Sequence, residues 1–292
     1  MPAAAAPAAP KLLSAAALAQ YRRDGYCFPV RVMPAADAQA IRARLEAYEA
    51  ATGGALKGNL RHKTHLLFPW LYDLVQHPRI LDAVEDILGP DLLCWSSSFF
   101  IKEAHDPSFV SWHQDSTYWG LSEPDVVTAW VALSPSTIEA GAMRVIPGTQ
   151  GDQIAHRDTF DKRNLLTRGQ EVMVEVDASK AVDLVLAPGE MSLHHVRIVH
   201  GSEPNRSDDR RIGYAIRYIP TRIRQVAGPR DSATLVRGAD RFHHFDHEPR
   251  PASDLAPGAV ALHKAIADRQ AKILYRGTKI EGFDADAARK TS

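Results

Sequence analysis

Only two cysteines, Cys27 and Cys94, occur among the 292 residues, and they form neither a CxxC pair nor a dense framework. That scarcity argues against a disulfide scaffold and against thiolate-bound zinc, and it favours a reducing compartment. Net charge is missing too. The 35 Lys and Arg balance the 35 Asp and Glu, so no global field draws in nucleic acid or anionic lipid. Although 45% of the residues are hydrophobic, no apolar run approaches the roughly 18 residues of a membrane-spanning helix. The Ala/Pro-rich start lacks a basic segment and is broken by proline, so it reads as a tail rather than an export signal. Residues 1–12 are expected to be a disordered tail and 13–292 one domain, in a cytoplasmic protein with neither nucleic acid nor membrane as partner.

The first ninety residues read as helical with one strand. Ser14 can cap a helix through AAALAQYRRDG that Gly25 ends, and YCFPVRV follows as an edge or irregular strand because of Pro29. Ile41, Leu45 and Tyr48 recur at helical spacing between Ala35 and Ala50, and HPRILDAVEDIL is a further helix between Pro78 and Gly89. Past Pro90 the period changes. Short β-rich runs alternate with Gly/Pro turns: LLCWSSSFFIK, VVTAWVALS, AMRVIPG, EVMVEV, DLVLAPG, MSLHHVRIVHG and RRIGYAIRYI. A mainly β core over about 92–222 is expected, with helices before it and an extension over about 223–292 carrying the helix AVALHKAIADRQAKILY.

Within SWHQDSTYWGL, His113 and Asp115 stand two apart on a strand or its end, where residues i and i+2 share a face and can converge on one point. His200 closes an apolar strand just before Gly201 and supplies a third ligand. Two imidazoles and one carboxylate on a facial triangle, with positions left open, suit non-haem Fe(II) oxygen chemistry. Ser202 follows His200 by two residues and Arg211 by eleven. A guanidinium fork beside a hydroxyl suits bidentate binding of a dicarboxylate's far end.

These pieces resemble the phytanoyl-CoA dioxygenase-like Fe(II)/2-oxoglutarate oxygenases. The matching segments are WHQD from Trp112, AWVAL from Ala129, GAMRVIPGTQ from Gly141, APGEM from Ala187, and HGSEPN followed by Arg211. The resemblance implies a double-stranded β-helix (jelly roll, cupin-like) with iron on His113, Asp115 and His200. It also implies 2-oxoglutarate as cosubstrate with its distal carboxylate on Arg211 and Ser202, Trp130 beside it, and O₂ as oxidant. The neighbouring Arg210 stays open as a competitor for Arg211. Related halogenases have a small residue where this chain has Asp115, so hydroxylation is expected rather than halide transfer.

Further candidates surround this set. Lys102 is a candidate for the inner carboxylate of 2-oxoglutarate, and Tyr118, Trp119, Gln114 and Arg217 are candidates for substrate contact. His194 shares strand parity with His200, but on a straight strand it lies about 20 Å away at ~3.3 Å per residue. It is therefore a pocket-lining candidate and not a fourth ligand. His243, His244 and His247 read as a solvated loop. The expected activity is hydroxylation of an unactivated C–H bond in a small molecule, with release of succinate and CO₂. The substrate is a free amino acid, a phosphonate or similar metabolite, or a CoA- or carrier-linked acyl group; the oligomeric state is open. The alternative is a metal-binding jelly roll acting as sensor or store, which would have no need of Arg211 and Ser202.

Overall fold

The computed structural model describes residues 9–291. Residues 1–8 of the expected tail lie outside them, and the tail ends earlier than expected: the backbone N–H groups of Lys11 and Leu12 donate to the Asp86 carboxylate at 2.6 and 2.9 Å. A carboxylate on a following helix anchors the chain there, a contact that composition does not reveal.

Five segments precede the β core: α1 (Ala15–Asp24), β1 (Tyr26–Arg31), α2 (Ala35–Thr52), α3 (Pro69–Val75) and α4 (Pro78–Leu88). The caps are those expected. Ser14 Oγ accepts from the Ala17 N–H at 3.1 Å, and Gly25, at φ 83°, ends α1 in the left-handed region. The short α3 was not expected; its seven residues are mostly buried and show no clear polar face.

The core strands are β2 (Leu92–Lys102), β3 (Val110–His113), β4 (Val127–Ala132), β5 (Met143–Ile146), β8 (Val182–Leu184), β9 (Glu190–His195), β10 (Val199–Ser202) and β11 (Arg211–Pro220). An inserted hairpin, β6 (His156–Asp158) and β7 (Gln170–Val172), interrupts them. After the core come β12 (Ser232–Arg237), β13 (Asp246–His247), α5 (Pro257–Leu274) and α6 (Phe283–Thr291). One sheet runs β1-β9-β4-β11-β2-β12-β13 and the other β3-β10-β5-β8. Successive core strands change sheet except at the β5–β8 pair, which stays in the smaller sheet, the pattern of a double-stranded β-helix, as expected.

β4 shows how this arrangement sorts residues. Val127, Ala129 and Val131 point outward into the cluster formed with α3 and α4, including Leu71, Val75, Ile80 and Val84. Thr128 and Trp130 point the other way, into the barrel. Both faces are covered, so all six residues are buried and the strand reads as a continuous apolar run.

One expected strand is two. MSLHHVRIVHG leaves the larger sheet after His195, turns through Val196–Ile198, with the Ile198 N–H on the His195 carbonyl at 3.0 Å, and enters the smaller sheet as β10. Both halves are buried, so alternation runs on through the turn without a break.

Candidate active site

Antiparallel pairing of β3 with β10 sets His113 opposite His200, and their rings lie 4.1 Å apart. Asp115 opens a short 3₁₀ turn directly after β3, its N–H bonded to the Val196 carbonyl at 3.0 Å. Its Oδ1 is 3.3 Å from His113 Nε2. One potential ligand atom from each of the three residues lies within 4.8 Å of the others, and all three residues are buried.

This donor set fits a metal ion. His113 Nδ1 donates to the carbonyls of Ser111 and His200 at 2.9 and 3.0 Å, and His200 Nδ1 donates to that of Ile198 at 3.0 Å. Both rings therefore carry their proton on Nδ1 and present Nε2 as a free ligand. Burial opposes the charged form of Asp115, but its polar surroundings, with Arg217 the permanent positive charge among them, outweigh it and hold the carboxyl well below its usual range. Burial first, then His113, keeps His200 neutral. A carboxylate and neutral imidazoles are the protonation states that a metal requires.

The inward face of the larger sheet leads away from this triangle. Register pairs Arg211 with Lys102, Gly213 with Phe100 and Ala215 with Ser98, while Trp130 faces Ala215 and Thr128 faces Arg217. The small residues in the middle leave room, and the cations stand at the two ends. Arg211 is 2% exposed, its Nη1 on the Gly141 carbonyl at 2.6 Å and its guanidinium 5.3 Å from the Trp130 ring centre. Burial pushes it down to about 10, so it stays cationic at neutral pH. Lys102 Nζ donates to Ser202 Oγ at 2.7 Å and to the Glu203 carbonyl. Burial and the neighbouring Arg211 push it down to about 6.

Four buried polar atoms along this cavity lack a protein partner: Arg211 Nε, Arg217 Nε, Thr128 Oγ1 and His194 Nδ1. Unpartnered buried donors and acceptors cost about 1–3 kcal/mol each, and clustered around one cavity beside a metal triangle they fit a polar occupant. Arg210 faces the other way, with Glu49 and Glu103 each 2.8 Å from it. Of the two arginines, only Arg211 lines the cavity.

The sequence expectations meet the structure unevenly. Lys102, the candidate for the inner carboxylate of 2-oxoglutarate, pairs in register with Arg211 and donates to Ser202 Oγ, beside the two residues expected at the distal carboxylate. His194 is not about 20 Å from His200; the chain turns between them and the ring centres lie 4.9 Å apart. Gln114 has no amide group to spare. Its Nε2 donates to the Asp152 and Arg197 carbonyls and its Oε1 accepts from Ile154 and Gln153, so it braces the loop instead of facing substrate. Tyr118 lends only its ring to the approach: its hydroxyl donates to Asp158 at 2.7 Å, and burial with that carboxylate pushes it up to about 12. Trp119 packs on Trp95 at 5.0 Å and lies 5.6 Å from the Arg217 guanidinium.

Thr128, Ser98 and Phe100 were missed, although each sits two residues from a singled-out residue or from another of the three and shares its face. Period-2 counting from Trp130 and Lys102 finds all three. In the expected solvated loop, His247 Nε2 meets Asp240 at 2.8 Å. His113, Asp115 and His200 are the only such triad found among the described residues.

Gly213 ties fold to site. A Cβ there would come within 1.8 Å of the Trp130 ring. Gly213→Ala should displace Trp130 from beside Arg211 at a cost of about 1–3 kcal/mol. The expected outcome is a thermal midpoint several degrees lower and weaker 2-oxoglutarate binding; wild-type values for both would show that Trp130 relaxes freely.

Residues 21–213 match the family model described as phytanoyl-CoA dioxygenase. The chain is 31% identical over 163 residues to a probable alpha-ketoglutarate-dependent hypophosphite dioxygenase of Stutzerimonas stutzeri, covering 52% of this chain and 54% of that protein. It is 25% identical over 224 residues to an L-proline trans-4-hydroxylase of Streptomyces griseoviridis, covering 68% and 84%. Among solved structures it resembles the non-haem monooxygenase ThoJ in its apo form, with a TM-score of 0.79 and 38% identity over 88% of this chain and 96% of that one. The match to the hypophosphite dioxygenase thus spans about half of that relative's length.

Proposed function

The chain belongs to the phytanoyl-CoA dioxygenase family, and from that premise we propose that it is an Fe(II)- and 2-oxoglutarate-dependent dioxygenase hydroxylating an unactivated C–H bond of a small molecule. The observation that carries this reading is one cavity lined by a two-histidine, one-carboxylate triangle and by the buried Arg211, with Lys102 paired in register beside that arginine. A metal store or sensor would bury the Arg211 cation, and the Lys102 amine beside it, without return.

His113, Asp115 and His200 would hold iron(II), and Arg211, Lys102 and Ser202 the distal carboxylate of 2-oxoglutarate, with Trp130 walling the cosubstrate in. Iron(II) held there would let O₂ act as the oxidant, with 2-oxoglutarate as co-reductant: one oxygen atom would end in succinate as CO₂ is lost and the other in the hydroxylated product. The chain's own part is to orient and to exclude water. Backbone carbonyls lock both imidazoles, and Arg211 fixes the cosubstrate by a planar fork. Asp115 occupies the ligand position that a halide would need, which supports hydroxylation.

We take residues 13–292 as one oxygenase unit, because β12 pairs with β2 and α6 packs on the loop at Gly58–Arg61. No helix among the described residues is long and apolar enough to cross a membrane, and Cys27 and Cys94 are free and buried. Both support a reducing, cytoplasmic setting.

The test is succinate formation from 2-oxoglutarate by protein reconstituted anaerobically with iron(II) and then exposed to O₂. Stoichiometric iron binding without any succinate, across amino acids, phosphonates and acyl thioesters as candidate substrates, would favour the store or sensor.

A further expectation concerns protons. Lys102 at about 6 is mostly neutral at pH 7, and a carboxylate placed against it favours the charged form. Binding of 2-oxoglutarate at pH 7 should therefore take up close to one proton, and affinity should fall as pH rises above about 6. Calorimetry in two buffers of different ionisation enthalpy measures the uptake, and Lys102→Met should abolish it. Equal uptake in that variant would remove Lys102 from the cosubstrate site.

A further inference from the structure

A cleft opens beyond the metal triangle and shares Phe100, Asp115 and Arg217 with the cosubstrate cavity. It is therefore the approach to the metal from outside. Its roof is the C-terminal segment, whose role the sequence left open. On α6, Phe283 stacks on His62 at 3.8 Å, Asp284 binds the Asn59 N–H and amide at 2.9 and 2.8 Å, and Lys290 holds the Asn164 and Leu166 carbonyls at 2.9 and 2.7 Å.

Charge in this cleft is one-sided. Arg61, Arg217 and Lys290 line it, and after burial all three press on His62, which is held well below its ordinary value. The carboxylates facing them are two. Asp115 belongs to the metal triangle, and Asp286 is already taken by Arg289 at 2.7 Å and Lys290 at 3.4 Å.

The three cations differ in what they have to offer. Lys290 spends its donors on two carbonyls and Asp286. Arg61 has one weak bond, to the Phe99 carbonyl at 3.3 Å. Arg217 is 7% exposed, bonds only Ser98 Oγ and the Ala215 carbonyl, and leaves Nε without a partner. No carboxylate lies within ion-pair distance of it among the described residues. Asp115 acts on it only at longer range; a buried guanidinium without a directly paired carboxylate is costly, and the Phe100 and Trp119 rings at 5.6 Å offset that only in part.

We propose that the substrate is an organic anion with an apolar body, its carboxylate, phosphonate or sulfonate held by Arg217 with Arg61 behind it, under the roof made by α6. The apolar body lies among Trp95, Trp119, Leu165 and Phe283, which line the same cleft. Arg217 and Asp115 share a wall, so the oxidised carbon lies a few bonds from the anionic group. This deepens the proposed dioxygenase reading and rests on it.

The test uses full-length protein loaded anaerobically with iron(II) and saturating 2-oxoglutarate, titrated by calorimetry with 4-phenylbutanoate, the matching phosphonate, the neutral amide and the amine. The anions should bind at least tenfold more tightly than the amide, and the amine not at all; the ratio of carboxylate to phosphonate identifies the preferred group. Arg217→Gln should abolish the preference while leaving the 2-oxoglutarate Kd within twofold, and Arg217→Lys should restore part of it. Arg61→Gln should reduce it about threefold and covers the case in which Arg217→Gln does not fold. Equal affinities across the four, or no binding of the anions at millimolar concentration, overturns the proposal. So does a tenfold loss of 2-oxoglutarate affinity in Arg217→Gln, which would assign Arg217 to the cosubstrate. Succinate formation on the same samples after exposure to O₂ separates the two readings: anion preference without any succinate defeats the dioxygenase assignment, and succinate without preference defeats this one.

Discussion

His113→Ala is expected to strip the protein of iron: under limiting iron(II), occupancy near one per wild-type chain should fall below about a tenth. The site has only three protein ligands, and loss of even an outer-shell partner costs ten- to a hundredfold in metal affinity, so loss of a ligand costs at least about a hundredfold. His113 also braces its neighbour, because its Nδ1 donates to the His200 carbonyl at 3.0 Å. His194→Ala provides the contrast. That ring lies 4.9 Å from His200 yet stands outside the triad, so iron should stay bound. Stoichiometric iron and normal succinate formation in His113→Ala would falsify the assignment, and iron loss in His194→Ala would enlarge the ligand set.

The second large effect is expected at Arg211. Methionine keeps much of the side chain's length but removes the charge and the fork. Removing one partner of a buried, hydrogen-bonded charge pair costs about 2–5 kcal/mol, a rise of roughly thirtyfold or more in the apparent KM for 2-oxoglutarate. Iron binding should be unchanged, since Arg211 lies at the far end of the cavity from the triangle. Arg211→Lys should recover only part of the loss, because an ammonium cannot bind a carboxylate bidentately. Steady-state kinetics at saturating iron read both variants. A KM within twofold of wild type in Arg211→Met would pass the role to Lys102.

How far the chain could be read depended on whether the relevant contact was local. H-x-D on a strand brings His113 and Asp115 together by period 2 alone, and Ser14 and Gly25 mark the ends of α1 by cap chemistry. Strand parity likewise places Arg211 and Arg217 on one face. Each of these rests on residues within a few positions of one another. Family resemblance then added the distant His200 and the role of Arg211, which spacing alone leaves open.

Contacts set by register or by a change of sheet were not legible. The turn at Val196–Ile198 hides inside a continuous apolar run because both flanking strands are buried, so the true neighbour of His200 was taken for a remote residue. Lys102 shows a related limit: parity puts it inside the barrel, but only the pairing of β2 with β11 puts it beside Arg211. Arg61 and Lys290 meet across 229 positions of chain, and α6 is a polar helix whose buried face is narrow. Local propensity and alternation settle the strands, the caps and the metal motif. Closure of the barrel and docking of the C-terminal helix settle which cations face the same space, because that depends on loop closure and sheet register between residues that no local pattern connects.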